Sequence, residues 1–359
     1  FKDEPGDGYR KVKGEAHFLR GSNYYFLVNI YGQPYSKERA ATELGVPLKL
    51  NAEIEDKRFQ RNSLEECYQQ IVSDLQSAVR LLKVLKSTPT YRANEMAARL
   101  LLSRVFLYQG EWENVIKQCD TILMDKSYSL LDYNTLTTTS NVISAKSPET
   151  IFTSGATTYT NTPFLPFINY YFRASEEILA AYSSNDLRRK FYFRGYSAYA
   201  PRKMLNTKDG SCSDFFLLRL PEVYLNKAEA LAMLEKTTEA IETIQTLREQ
   251  RVKTGTLEDL QLSGEELVNY IRNERRLELT FEGQRWFDLR RYAVCPKWPF
   301  QKEIHHPYYV ETEIKGARVL RKYDEEPEFY VLPLPENEIV LNGGTLIQNA
   351  TREQKSEVM

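Results

Sequence analysis

The sequence predicts a mainly α-helical protein in which helical hairpins form a scaffold and a loop-rich region with short strands is inserted into it. Two observations predict this fold class. Apolar residues recur at helical spacing from Leu64 to Leu85, which lines one face of a helix. Residues 93–125 and 220–251 each contain two amphipathic runs separated by a break of a few residues. Because a short connection makes consecutive helices antiparallel neighbours, each segment predicts a hairpin.

The first helices have recognisable ends. One runs over residues 9–31 and stops before Pro34, because proline lacks a backbone donor and disfavours helix in the residue before it. After a loop, Ser63 and Glu66 form a capping-box pattern at the start of the helix that begins at Leu64. These signals predict a long first helix, a loop and a capped second helix.

Two segments have a different character. Residues 131–214 are rich in Thr and aromatic residues and are interrupted by prolines, so we expect loops, short strands and one helix near residues 175–183. The tail from residue 293 is also predicted to be non-helical, with strand candidates at residues 308–310 and 329–332.

These elements predict a single compact unit with two kinds of segment. The helical scaffold is expected to comprise residues 1–130 and 215–292. The loop-rich ligand-binding region packed on it is expected to comprise residues 131–214 and 293–359.

Composition excludes several functions. Lys and Arg number 48 against 49 Asp and Glu, and the net charge of -1 provides no broad field to attract nucleic acid. No run of about 18 apolar residues is present, so no transmembrane helix is expected. The three His and four Cys lack metal-ligand spacing, and we expect neither a metal nor a cofactor. The pairing of the cysteines stays open.

Tyrosine is over-represented, with 24 Tyr against 17 Phe and 3 Trp. The excess concentrates in residues 152–199, which hold 7 Tyr and 6 Phe in 48 positions. Sugar rings present apolar C–H faces and a rim of hydroxyls, so their binders need exposed aromatic plates beside planar polar groups. The candidate ligand-binding residues are therefore Tyr159, Asn161, Asn169, Tyr170, Tyr171, Arg173 and Trp298. The alternative is that these aromatic residues fill the core.

The densest charged pattern lies at residues 271–291. Glu278 and Glu282, four residues apart, have the spacing of a paired set of glycosidase carboxylates on one helical face. Three arginines lie nearby in the sequence: Arg275, Arg276 and Arg285. Because they favour the ionised carboxylate and a general acid needs a raised pKa, a catalytic pair is not expected. We predict instead an Arg–carboxylate network that fixes the helix and a corner at Gly283.

The same stretch, Ile271 to Arg291, resembles the hallmark I-x-x-E-R-x-x-E-L-x-x-E-G-x-R-W-x-D-L-x-R of the SusD/RagB family of nutrient-binding outer-membrane lipoproteins. Other landmarks occur in the family's order, including residues 15–20, 25–32, 148–152, 185–188, 218–225 and 332–335. The helical pairs also resemble tetratricopeptide repeats, in which each pair buries its apolar face by stacking on its neighbours.

The resemblance implies a non-catalytic protein on the cell surface, lipid-anchored to the outer membrane, that passes oligosaccharides or polysaccharides to a SusC-like TonB-dependent transporter for nutrient uptake. It implies a ligand platform built from the middle region and from the loop after the first helix, which adds Tyr35 to the candidates. The lipid-bearing Cys and the family's first helices are expected to precede Phe1. Two alternatives stay open: a peptide-binding member of the same family, and a helical-repeat adaptor whose ligand is another protein.

Overall fold

The computed structural model describes residues 6–83, 89–137, 140–155, 174–193, 202–203, 212, 216–310 and 313–350 of the chain. Its packing divides the chain into two units. Unit 1 comprises Phe1–Phe18 and Asp74–Arg285, and unit 2 comprises Leu19–Ser73 and Trp286–Met359. Each unit contains both helical and loop-rich segments. The division into a scaffold and a ligand-binding region stays a prediction.

Helices dominate the described residues, as predicted. They are α1 (Asp7–Tyr31), α2 (Leu64–Leu82), α3 (Glu95–Gln109), α4 (Trp112–Met124), α5 (Glu176–Ala180), α6 (Arg188–Tyr192), α7 (Leu220–Met233), α8 (Thr237–Glu249), α9 (Gly264–Glu278), α10 (Arg285–Ala293) and α11 (Glu336–Leu341). The strands are β1 (Thr150–Thr153), β2 (Leu217–Arg219), β3 (Ile304–Val310) and β4 (Glu313–Leu320). Two antiparallel sheets result, one from β1 and β2 and one from β3 and β4.

Helix α2 confirms the prediction made from apolar spacing. The described members of its apolar stripe are at most 1% exposed: Leu64, Tyr68, Ile71, Leu75, Ala78 and Leu82. The capping box is also present, because Ser63 Oγ accepts from the Glu66 N–H at 3.1 Å and Glu66 Oε2 accepts from the Ser63 N–H at 2.9 Å. These bonds satisfy two donors that a helix start would otherwise leave unpaired. The bond from the Ser63 backbone is the largest cause of a lowered pKa at Glu66.

Two helical hairpins, α3 with α4 and α7 with α8, form as predicted. At the end of α3, Gly110 adopts the left-handed conformation with φ 73°, which glycine takes without steric cost, and its N–H bonds to the Phe106 carbonyl. Helix α7 contacts α3, α4, α8 and α9. Because it is surrounded, 12 of its 14 residues are buried, and the helix is buried on most sides rather than on one.

Polar side chains inside this packing are paired across helices. Arg104 of α3 donates two hydrogen bonds of 2.6 Å to Glu222 of α7, and each side chain is only 2% exposed. Asn226 of α7 accepts from Arg275 of α9 at 2.7 Å and donates to Ser103 of α3 at 3.0 Å. Each of these buried polar groups thereby gains a protein hydrogen-bond partner in place of the water that it loses.

One strand prediction in the tail is wrong. The strand expected at residues 308–310 is part of β3, but Pro327–Tyr330 forms a single 3-10 turn instead of a strand. Proline has a fixed φ close to that of a helical first turn, which favours this start. The turn buries Tyr330, whose ring stacks on Trp286 with centroids 5.4 Å apart. The short helix α11 was also not anticipated in a tail predicted to lack helices.

In unit 2, Arg61 fixes the loop that follows α1. Its guanidinium donates to the carbonyl oxygens of Tyr31 at 2.9 Å, Leu44 at 3.0 Å and Gly45 at 2.7 Å, and to Asn349 Oδ1 at 2.7 Å. A planar guanidinium can hold several acceptors at once in a fixed geometry. One side chain therefore orders a loop that has little regular secondary structure.

The four cysteines, whose pairing the sequence left open, are free and buried. Burial raises the pKa of Cys67 and of Cys212 to about 11. A thiol with so high a pKa is a poor nucleophile at neutral pH. The cysteines therefore act as small apolar core residues.

Replacing Arg104 with Ala should lower the free energy of unfolding by about 3–5 kcal/mol, because Glu222 would lose its bidentate partner and stay buried. The double variant Arg104→Met/Glu222→Leu should lose less stability than Arg104→Ala alone, since it removes both buried charges. Urea unfolding followed by circular dichroism measures both values. A double variant that is less stable than the single one would contradict this role for the pair.

Candidate functional site

The carboxylate of Glu278 lies at the centre of a buried ionic network in unit 1. The residue ends helix α9, and its side chain is 0% exposed. Arg219 donates to Oε1 at 2.6 Å, Arg251 donates to Oε2 at 3.0 Å and to Oε1 at 3.1 Å, and Arg188 donates to Oε2 at 3.3 Å. Three guanidinium groups from three separate chain segments therefore share one carboxylate.

Further carboxylates complete the pairing of these arginines. Arg219 also binds Glu282 at 2.6 Å, and Arg251 binds Glu149 at 2.6 Å. Arg188 binds Asp186 at 2.7 Å and Glu274 at 2.9 Å. Every guanidinium in the network thus has more than one anionic partner, as charged groups buried from water require.

A buried lysine lies beside the same carboxylates. Lys203 donates to the main-chain oxygen of Glu278 and to the carboxylate of Glu282. Its ammonium lies 4.0 Å from the ring centre of Tyr192, and Arg251 lies 4.3 Å from the ring centre of Tyr133. Aromatic faces therefore cover cations that the carboxylates have already paired.

The electrostatics exclude the catalytic interpretation of Glu278 and Glu282. Burial alone raises the pKa of Glu278, but Arg251, Arg219 and the other cations hold it well below its usual range. At Glu282, burial also raises the pKa, but Arg219 and Lys203 lower it by more, so the pKa lies below its usual value. Neither carboxyl group retains a proton to donate near neutral pH, which a glycosidase acid must do. The predicted structural network is confirmed.

The cations that surround Glu278 are not the ones the sequence suggested. Arg275 instead bonds Asn226, and Arg276 pairs with Glu177 at 2.9 Å. The arginines that do surround Glu278 come from outside residues 271–291, although two of them, Arg188 and Arg219, occur in the landmarks 185–188 and 218–225 noted above. Those landmarks were the available signal, but nothing in the sequence marked Arg251.

The corner after α9 uses two left-handed residues, Phe281 with φ 68° and Gly283 with φ 69°. Glycine adopts this conformation freely, whereas a bulky residue such as Phe281 is strained in it. The Phe281 ring packs edge-on against Phe193, with centroids 5.5 Å apart. Packing on one side and the pairing of Glu282 on the other hold the corner in place.

Most predicted ligand-binding residues fall outside the described residues. They are Tyr159, Asn161, Asn169, Tyr170, Tyr171 and Arg173. Of the other two, Tyr35 is half-buried, with its ring centroid 4.7 Å from that of the buried Tyr68. Trp298 is half-buried in the loop after α10, and the Lys297 ammonium lies 4.4 Å from its ring centre.

The described aromatic residues of segment 152–199 belong to the core. Each is at most 7% exposed: Phe152, Tyr182, Phe191, Tyr192 and Phe193. All but Phe152 pack in one cluster with Tyr133. For these residues the core-filling interpretation is correct.

The described residues contain no cluster of three or more His, Cys, Asp or Glu side chains arranged to hold a metal ion. Within the same residues, no helix combines the length and apolar character needed to cross a bilayer.

Replacing Glu278 with Gln should lower the free energy of unfolding at neutral pH by about 3–5 kcal/mol, because the surrounding cations would lose their shared anion. The pKa of Glu278 is lower in the folded chain than in the unfolded chain, where it is about 4.3. The ionised carboxylate therefore stabilises the fold fully above about pH 4.3, and this stabilisation is lost as pH falls from there through the folded-state pKa. Thermal unfolding between pH 7 and pH 3 should therefore give a flatter profile for Glu278→Gln than for the parent protein.

The matched control for this measurement is Glu265→Gln, an exposed position on the same helix, which should follow the parent protein at every pH. A Glu278→Gln variant as stable as the parent protein at pH 7 would contradict a central role for this carboxylate.

Two family models match the chain. The model described as the SusD family matches residues 125–351, and the model described as "Starch-binding associating with outer membrane" matches residues 2–107. The first of these covers more than half of the chain.

Known proteins agree with these models. SusD-like protein P2 of Formosa agariphila is 23% identical over 397 aligned positions, which span 94% of this chain and 73% of that protein. A structure described as a putative sugar binding protein from Bacteroides vulgatus is similar with a TM-score of 0.74 at 26% identity, over 97% of this chain and 79% of the other. A SusD superfamily protein from Bacteroides thetaiotaomicron has the same fold, with a TM-score of 0.75 at 22% identity over 98% and 80% of the two chains. The chain therefore belongs to the SusD family of non-catalytic binding proteins.

Proposed function

We propose that this protein binds oligosaccharides without modifying them and delivers them to a TonB-dependent transporter in the outer membrane. The observation that carries the proposal is the concentration of aromatic residues in segment 152–199, in a chain of a binding-protein family. Aromatic faces beside amide and guanidinium groups match the alternating apolar and hydroxyl surfaces of a sugar.

Burial of some aromatic residues limits which members of the segment we propose as ligand contacts. Because the described aromatic residues of the segment are buried, the proposed ligand contacts are Tyr159, Tyr170 and Tyr171 with their polar neighbours Asn161, Asn169 and Arg173. Trp298 is a further contact, since part of its indole is exposed. Tyr35 has a weaker case, because its ring packs on Tyr68.

Related proteins support the ligand class and the location. A structural neighbour at 26% identity is described as a putative sugar binding protein. The model that matches residues 2–107 carries starch binding and association with the outer membrane in its description. By extension we propose a surface position on the outer membrane, with a lipid anchor and a SusC-like transporter as partner.

Calorimetric titration with oligosaccharides from starch, xylan, mannan and pectin should identify at least one glycan that binds and is not cleaved. The triple variant Tyr159→Ala/Tyr170→Ala/Tyr171→Ala should then bind it at least about tenfold more weakly, since each lost aromatic contact is worth about 0.5–1.5 kcal/mol. The control variant Tyr91→Ala removes an exposed ring outside the segment and should bind normally.

Parent-like affinity after loss of every aromatic residue between 159 and 199 that lies outside the described core would refute the site. A protein that binds peptides but no glycan would favour the peptide-binding alternative, and cleavage of the bound glycan would refute the non-catalytic role.

Delivery is tested in cells that use the identified glycan. Chemical crosslinking of the tagged protein should capture a TonB-dependent transporter, and deletion of the gene for this protein should slow growth on the glycan but not on its monosaccharide. Equal growth of the deletion strain on both carbon sources would contradict a role in uptake.

A further inference from the structure

An open cleft of about 580 Å³ lies in unit 2, between the loop after α1 and the loops that follow α10 and β4. Its volume is within the range of about 300–1,000 Å³ typical of small-ligand sites. Its polar lining includes Gln33, Arg39, Glu43, Gln301, Tyr323 and Asp324. Tyr35 lies in the sequence between Gln33 and Ser36, which both line the cleft.

A chain of hydrogen bonds orders the cleft wall. Arg39 pairs with Glu43 at 3.1 Å and donates to the Tyr323 hydroxyl at 3.4 Å. That hydroxyl donates to Gln33 Oε1 at 3.1 Å, and the Gln33 amide nitrogen lies 3.5 Å from the Pro327 carbonyl oxygen. Side chains held in this way are oriented before a ligand arrives, which reduces the entropy lost on binding.

Two polar groups keep unused hydrogen-bonding capacity. Glu43 Oε2 is buried and has no hydrogen-bond partner among the described residues. Burial raises the pKa of Glu43, against the attraction of Arg39. Gln301 accepts from the Asp324 N–H at 3.0 Å through its oxygen, which leaves its NH₂ group to donate. A ligand that both donates and accepts hydrogen bonds would satisfy the two groups.

The charge of the lining selects among such ligands. Three acidic residues, Glu38, Glu43 and Asp324, and one basic residue, Arg39, line the cleft, and Arg39 already pairs with Glu43. The excess of negative charge repels sulfate and uronate groups and attracts ammonium groups. Apolar carbon from Val294 and Pro327 completes the lining and suits the C–H face of a sugar ring.

We propose that this cleft is a saccharide subsite that takes neutral or amino-substituted sugar residues and rejects anionic ones. The proposal rests on the proposed function, because it names the class of glycan and a second set of contacts outside segment 152–199. It predicts that Gln301 donates to the sugar and that Glu43 accepts from it.

Calorimetric titration with four trisaccharides tests the charge preference: maltotriose, mannotriose, chitosan trimer and trigalacturonate. The parent protein should bind at least one neutral or amino trisaccharide at least tenfold more tightly than trigalacturonate. The variants Gln301→Ala and Glu43→Gln should each weaken that binding about tenfold. The double variant Glu43→Gln/Asp324→Asn should narrow the preference over trigalacturonate.

Two controls separate the cleft from other effects. Glu53→Gln removes an exposed negative charge elsewhere in unit 2 and should change none of the affinities. Gln301→Ala removes no buried charge, so it keeps the test valid if Glu43→Gln unfolds.

The outcomes distinguish the two proposals. If a glycan binds through the segment 152–199 aromatics but Gln301→Ala and Glu43→Gln bind it as tightly as the parent protein, the cleft proposal fails and glycan binding stands. Equal or tighter binding of trigalacturonate also overturns it. If no saccharide of either panel binds the parent protein, both proposals fail.

Discussion

The structure of unit 1 depends on one requirement, that the buried charge of Glu278 be paired. Removing a carboxylate from water costs several kcal/mol unless cations and hydrogen bonds replace the solvent. Here Arg188, Arg219 and Arg251 replace it, and each reaches the carboxylate from a different segment. Helix α6, strand β2 and the residues after α8 must therefore converge on the end of α9. The surrounding aromatic core packs against this convergence point.

The sequence predicted features that depend on local order. Apolar spacing and the capping box placed α2, and short breaks placed both hairpins, because these signals act between residues close in the chain. The structural role of Glu278 was also predictable, since clustered arginines disfavour a protonated carboxyl group. The identity of its partners was not, because Arg188 and Arg219 reach Glu278 across 90 and 59 residues of sequence. The prediction of a strand at residues 329–332 was wrong, because Pro327 starts a 3-10 turn there.

The candidate binding residues were harder to predict for a related reason. Composition does not distinguish an aromatic residue that fills the core from one that contacts a ligand. Tyr182 and Tyr192 proved to be core residues. The polar cleft was not predicted at all. Tyr323 and Gln33 meet across 290 residues, and single Gln residues carry no pattern that marks a site. Among the predicted binding residues, Tyr35 comes closest to the cleft in sequence, because it lies between the cleft residues Gln33 and Ser36. Its own ring packs on Tyr68.

The long separations within the ionic network also bear on how the chain folds. Arg188 and Glu278 are 90 residues apart, and Arg219 and Glu278 are 59 apart, so their contacts form after the nearby helices have paired. Until then these side chains are well solvated as separate ions. The aromatic rings of Tyr192 and Tyr133 lie against cations of the same network in the folded unit. Because burying any one of these ions before its partners arrive is costly, collapsed states that lack the network are disfavoured relative to the folded one.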